Sequence, residues 1–190
     1  MKQKAPLIAL LAVILVVIGS VSAYLSQKQY AGDPASMEAI IAGELGEPAE
    51  VFGTVQLNNG DIMLAGYLTG TPQTAQRCGY AKFQKSSPDS YELISLKKPE
   101  KLAERAQEIW ADTLHYSSEK ASYDCLVILS NHPKLSKVQL TIETSGAPGQ
   151  VQKQDVSSCP AVCAFECPSP DSDYSWEYRF YDEDGNEIVL

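Results

Sequence analysis

Short runs that alternate apolar and polar residues, separated by turn residues, recur from residue 51 to the C-terminus of this chain. A period of two puts alternate side chains on opposite faces of a strand, so such a chain is steered toward sheets. The runs are Val51 to Leu57, Ile62 to Thr69, Cys78 to Gln84, Tyr91 to Lys97, Tyr123 to Leu129 and Leu135 to Ile142. Asn59-Gly60 joins the first two, a pair that tolerates the positive φ of tight hairpins. Near the C-terminus Trp176, Tyr178 and Phe180 alternate with Glu177 and Arg179, and Asp184-Gly185 then predicts a turn into a last short strand.

Two segments carry helical spacing instead. In "DPASMEAIIAGELG" Asp33 can cap a helix, Pro34 suits its first turn and Gly46 lies just past its end, with Met37, Ile40, Ile41 and Leu45 on one face. In "KPEKLAERAQEIWADTL", residues 98–114, Pro99 fits a first turn and Leu102, Ala106, Ile109 and Thr113 recur at helical spacing. Glu100, Glu104 and Glu108, with Lys101 and Arg105 between them, read as the solvated face of that helix. The polar stretch 144–158, "TSGAPGQVQKQDVSS", reads as a loop. The expected fold class is α+β: one domain over 34–190, dominated by antiparallel strands with one or two packed helices.

The first 23 residues differ in kind. "MKQKAP" is a short basic lead, Leu7 to Gly19 is an unbroken apolar run, and Val21, Ser22 and Ala23 are small. This is the pattern of a signal peptide cut after Ala23 or of an uncleaved signal anchor. Helix over residues 5–23 would span roughly 28 Å, near the ~30 Å hydrocarbon core, and the length of the apolar run favours the anchor. Lys2 and Lys4 keep the N-terminus cytoplasmic, which delivers the rest outside on a stalk of residues 24–33. The 190 residues carry a formal net charge of −9, and without the two leader lysines 13 basic residues face 24 acidic ones, or −11. A domain this acidic repels nucleic-acid phosphates, so no nucleic-acid partner is expected.

The segments "YDCLVILSNHPKLSKVQL" and "YRFYDEDGNEI" resemble parts of small single-span, membrane-anchored extracytoplasmic proteins of Gram-positive bacteria with no assigned function. The resemblance covers about a quarter of the chain, on hairpins and not on sites. It implies location and architecture, and brings no catalytic residues with it.

Three of the five cysteines fall in "CPAVCAFECP", at Cys159, Cys163 and Cys167; the others are Cys78 and Cys125. Two prolines and alternating Ala, Val and Phe favour a strand there. Cysteines four apart on a strand sit ~13 Å from one another, too far for a mutual disulfide or a shared zinc ion. Any bridge must therefore reach Cys78 or Cys125; buried thiols are the other reading. Five is odd, so at least one thiol stays without an intramolecular bridge. Cys125, in "CLVILS", is expected buried, and Cys78, after Arg77, exposed. His115 and His132 are expected at the surface. No GxSxG, HExxH or GxxxxGK[ST] motif occurs. "DEDGNE", 182–187, does not fit the EF-hand spacing and reads as a hairpin turn, with a weak calcium site involving Asp171 or Asp173 as the lesser reading.

No catalytic, cofactor-binding or metal-ligating set is therefore expected. The reading is a membrane-tethered extracytoplasmic domain that binds a protein or envelope partner. The alternatives are an exported thiol-dependent or hydrolytic enzyme and a protein secreted after cleavage at Ala23.

Overall fold

A computed structural model describes residues 30–70, 77–101, 109–117, 122–145, 148–167 and 173–189. The expected anchor over 1–23 and the stalk residues 24–29 lie outside the described residues. The elements are β1 (Tyr30–Ala31), α1 (Pro34–Leu45), β2 (Ala49–Leu57), β3 (Ile62–Thr69), β4 (Arg77–Ser87), β5 (Ser90–Lys101), β6 (Ile109–Ser117), β7 (Ser122–Ser130), β8 (Lys137–Thr144), β9 (Gln150–Asp155), β10 (Ala161–Cys167) and β11 (Tyr174–Tyr181). The described domain is α+β, mostly antiparallel sheet with one helix. Within the stretch expected as stalk, β1 pairs with β5 and Ala31 is fully buried.

Four layers stack in the order helix, five-stranded sheet, middle sheet, outer sheet. The five-stranded sheet has the order β1-β5-β4-β3-β2, the middle sheet β10-β7-β6 and the outer sheet β11-β8-β9. Helix α1 starts as its sequence requires: the Asp33 carboxylate accepts from the Ser36 N–H (2.8 Å), and Ser36 Oγ accepts in return from the Asp33 N–H. Gly46 ends it with a left-handed φ of 71°. Met37, Ile40 and Ile41 bury against Ala65, Tyr67, Ala81 and Phe83 of the five-stranded sheet.

The other face of that sheet, with Leu57, Ile62, Leu64 and Tyr80, meets Cys125, Val127, Leu129 and Val162 of the middle sheet. The opposite face of the middle sheet, with Leu126, Ile128, Cys163 and Phe165, meets Val138, Leu140, Ile142 and Phe180 of the outer sheet. Strand β7 is thus buried on both faces, which is why it reads "CLVIL" without a polar alternate. Gly53 and Gly66, paired across β2 and β3, let the middle sheet come close. A Cβ on Gly53 would stand 3.1 Å from Val162, and one on Gly66 would stand 3.0 Å from the same side chain.

Two of the expected elements take another form. Residues 98–114 are not one helix: β5 runs through Lys101, and β6 occupies Ile109–Ser117, with Leu102 to Glu108 outside the described residues. Trp110, Leu114 and Tyr116 face the five-stranded sheet while Ile109 and Ala111 face the outer one, so apolar residues on both faces of β6 hide its period of two. The expected loop 144–158 contains β9. Its inward positions are glutamines, which hydrogen-bond where apolar residues would pack. Gln152 Nε2 donates to the Glu166 carbonyl (2.9 Å) and Gln154 Oε1 accepts from the Ala164 N–H (3.2 Å), two groups on the edge of β10.

Candidate functional site

The polar groups held inside this stack gather at one end of the middle sheet, where β6 and β7 approach their connection. Cross-strand register sets His115 beside Asp124, and Asp124 beside Cys167 on its other side. All three side chains project from the outer-sheet face. The Asp124 carboxylate is buried and engages both oxygens: Oδ1 is hydrogen-bonded to His115 Nδ1, and Oδ2 accepts from Tyr174 OH at 2.6 Å. Tyr174 comes from β11, so Asp124 ties the middle sheet to the outer one. Burial, then the bond to Asp124, pushes the Tyr174 phenol above its usual value. The His115 side chain is 71% exposed, with Nδ1 turned inward.

One residue along, on the opposite face, Glu166 makes the matching tie to the five-stranded sheet. Its Oε1 accepts from Tyr116 OH (2.6 Å) and from the backbone N–H of Asn58, in the β2–β3 turn. The Tyr116 ring stacks on Tyr123 with centroids 5.2 Å apart, and burial followed by the Glu166 bond raises its phenol pKa. A third carboxylate joins the same two layers elsewhere: Asp112 accepts from Tyr80 OH (3.1 Å) and pairs with Lys97 (3.2 Å), whose ammonium lies 5.7 Å from the Trp110 ring centre. None of these three acids stood out in the sequence. Each sits at an inward strand position, and two of the partner tyrosines lie in strands whose pairing was not legible.

The cysteines are placed as follows. Cys163 and Cys167 lie in β10, facing the outer sheet, and Cys125 faces the five-stranded sheet. Because neighbouring positions alternate faces, Cys125 points away from both Cys163 and Cys167 although its strand pairs with theirs. Cys78 is buried at 8% exposure, against the expectation that it would be exposed; the strand that starts at Arg77 has its second residue packed beside Tyr80. Cys159 is the exposed cysteine, in the bend before β10. The structure holds all five as thiols. Burial pushes Cys125 and Cys163 up to about 12 and Cys167 up to about 11, so at neutral pH these thiols are protonated and poor nucleophiles. In the row Cys167–Asp124–His115 the acid stands between thiol and imidazole, which is the wrong order for a thiol activated by histidine.

His132, expected at the surface, is buried at 8%, and its Nδ1 accepts from the Lys134 N–H (3.3 Å), so it closes the turn before β8. The 182–187 segment is a turn: Asp182 accepts from the Asn186 N–H (2.8 Å) and Nδ2 (3.1 Å), which lowers its pKa, and Tyr181 bridges to Glu187. Asp171 lies outside the described residues. Among the described residues no three His, Cys, Asp or Glu side chains are placed to share a metal ion. Glu100 lies in β5, and Glu104 and Glu108 fall outside the described residues.

A polar cavity of about 200 Å³ lies among Thr54, Gln154, Asp155, Ser157 and Ser158, below the ~300–1,000 Å³ of ordinary ligand pockets. An open groove of about 680 Å³ follows the solvent side of α1, between Ala35, Ala39, Gly43, Gly46 and Glu47. No helix among the described residues is long and apolar enough to cross a membrane. No protein-family model, curated protein or solved structure matches the chain.

Proposed function

We propose that this chain is a membrane-tethered extracytoplasmic domain that binds a protein or envelope partner. The observation that carries the reading is the apolar run Leu7 to Gly19 behind Lys2 and Lys4, followed after a short polar stretch by a folded, acidic domain. Its interior supports a scaffold role. The buried Asp124 and the half-buried Glu166 each give one oxygen to a bond between layers, and the thiols inside are held protonated. The test is protease added to intact cells after wall removal. The domain should be digested while an N-terminal epitope stays protected; an intact domain would overturn the reading.

A hydrolytic reading draws on one observation. His115 is oriented by a buried acid, as a general base requires, and Ser117 and Ser122 follow on the same sheet face. Against it, those two hydroxyls bond each other at 3.1 Å. Labelling of either serine by a fluorophosphonate probe, abolished in His115→Ala, would promote this reading over the first.

A further inference from the structure

We propose that β11 is a self-pairing edge: in a second copy the same strand lies antiparallel to it about a twofold axis through Trp176, joining the two outer sheets into one. The inference goes beyond the tethering reading and does not depend on it.

The open groups follow from strand alternation. The Tyr181 carbonyl accepts from Ser136 N–H, on the β8 side (2.9 Å). The preceding carbonyl, of Phe180, points the other way and accepts from Ile188 N–H (2.8 Å) of the returning tail. Residues of the same parity, Tyr174, Trp176 and Tyr178, therefore turn their N–H and C=O groups away from β8. The tail covers Phe180 and Asp182 only, and among the described residues no group bonds the edge at these three positions. Of the usual protections β11 carries the outer-face charges Glu177 and Arg179 and the tail over Phe180, and it lacks a bulge, a proline or a break. Its register with β8 is unbroken over eight residues and holds no proline or glycine. By contrast, β2 is bulged at Phe52 with its Val51 N–H capped by Glu38 (3.0 Å), and β5 is bulged and partly covered by β1.

The register follows from which groups are open. An axis through Trp176 sets Trp176 opposite its own copy and Tyr174 opposite Tyr178, so every open residue meets an open residue. An axis through Tyr178 would need Phe180, whose carbonyl is already taken. The chosen register also sets Asp173 opposite Arg179 and Ser175 opposite Glu177 on the outer face, with no like charges facing. Arg179 is 45% exposed; in its own copy it bonds Glu177 (3.0 Å) and lies 3.9 Å from Glu187, and its exposed guanidinium faces the position that Asp173 of the second copy would take. On the inward face the half-buried Tyr174 and Trp176 and the 38% exposed Tyr178 would be covered by the same rings of the second copy.

The test uses the full chain in mild detergent, in a Cys159→Ser background that removes the exposed thiol, with sedimentation as the readout. A dimer is expected at tens of micromolar. Asp173→Arg and Arg179→Asp should each weaken it by about ten-fold or more, and the two together should restore it to within about three-fold. Tyr178→Pro, which removes an edge N–H and no β8 bond, should abolish it; circular dichroism checks that this variant folds, and if it does not, the charge-reversal series decides alone. A wild-type monomer at 100 micromolar, a dimer indifferent to both single reversals, or a double reversal that fails to recover would each overturn the proposal.

Discussion

The outer sheet has two edge strands, β9 and β11, on either side of β8, and they are built on opposite principles. β11 presents Trp176, Tyr178 and Phe180 inward and is held by packing, with Phe180 4% exposed in the core. β9 presents Gln150, Gln152 and Gln154 at the positions paired with Ile142, Leu140 and Val138. It is held by its own ladder and by two glutamine bonds onto the exposed edge of β10. A strand held by packing writes its period into the hydrophobicity of the sequence. A strand held by polar side chains reaching backbone groups leaves a polar tract that resembles a loop. The difference also extends to the edges themselves: β9 guards another strand's edge, whereas β11 leaves its own open.

Substitutions on the two strands should separate the principles, and the largest effect is expected on β11. Phe180→Ala should cost about 3–5 kcal/mol by denaturant unfolding, while Val151→Ala on the exposed face of β9 should stay within about 0.5 kcal/mol. Equal losses would erase the contrast.

Alkali probes the middle sheet that both strands cover. Cys125 and Cys163 hold their protons up to about pH 12 in the folded chain, against an ordinary 9.0. The unfolded chain ionises first, so these thiols leave stability unchanged below about pH 9 and subtract from it as pH rises from there toward 12. The slope is about 1.4 kcal/mol per pH unit for each. A flat unfolding free energy between pH 8 and 10 would contradict the burial of these thiols. At pH 8 maleimide should label Cys159 alone in the native chain.

Asp124→Ala, which strips Tyr174 and His115 of their acceptor, should cost about 1–3 kcal/mol and loosen β11 rather than β9 in hydrogen exchange. The smallest effect falls to the glutamines. Gln152→Ala and Gln154→Ala should cost about 1 kcal/mol each and speed exchange of the Ala164 amide only in the second. Unchanged exchange at Ala164 would remove the capping role from β9.

The same contrast explains how far the sequence could be read. Ile62–Thr69 is a strand with the bounds its alternation implies, and α1 begins and ends at Asp33 and Gly46 because caps are local chemistry. β6 was hidden because it carries partly buried apolar residues on both faces, so Ile109 and Thr113 mimic helical spacing within a strand. The carboxylate–tyrosine ties were hidden with it: Tyr116 and His115 acquire partners only when β6 is known to lie beside β7. That Cys163 and Cys167 share a strand was legible from the alternation of Ala, Val and Phe, whereas Cys159 lies in the bend before it. Which cysteine is exposed was not legible, because that depends on the layer stacked above Cys78.

In the tethering proposed above, a signal anchor holds this domain at the outer face of a membrane. Intact-mass measurement of the chain in alkaline-washed membranes of cells that make it tests this most directly. An uncleaved anchor leaves the unprocessed 190-residue chain in the membrane fraction. A soluble chain beginning at Tyr24, or a full-length chain found only in the cytosolic fraction, would contradict it.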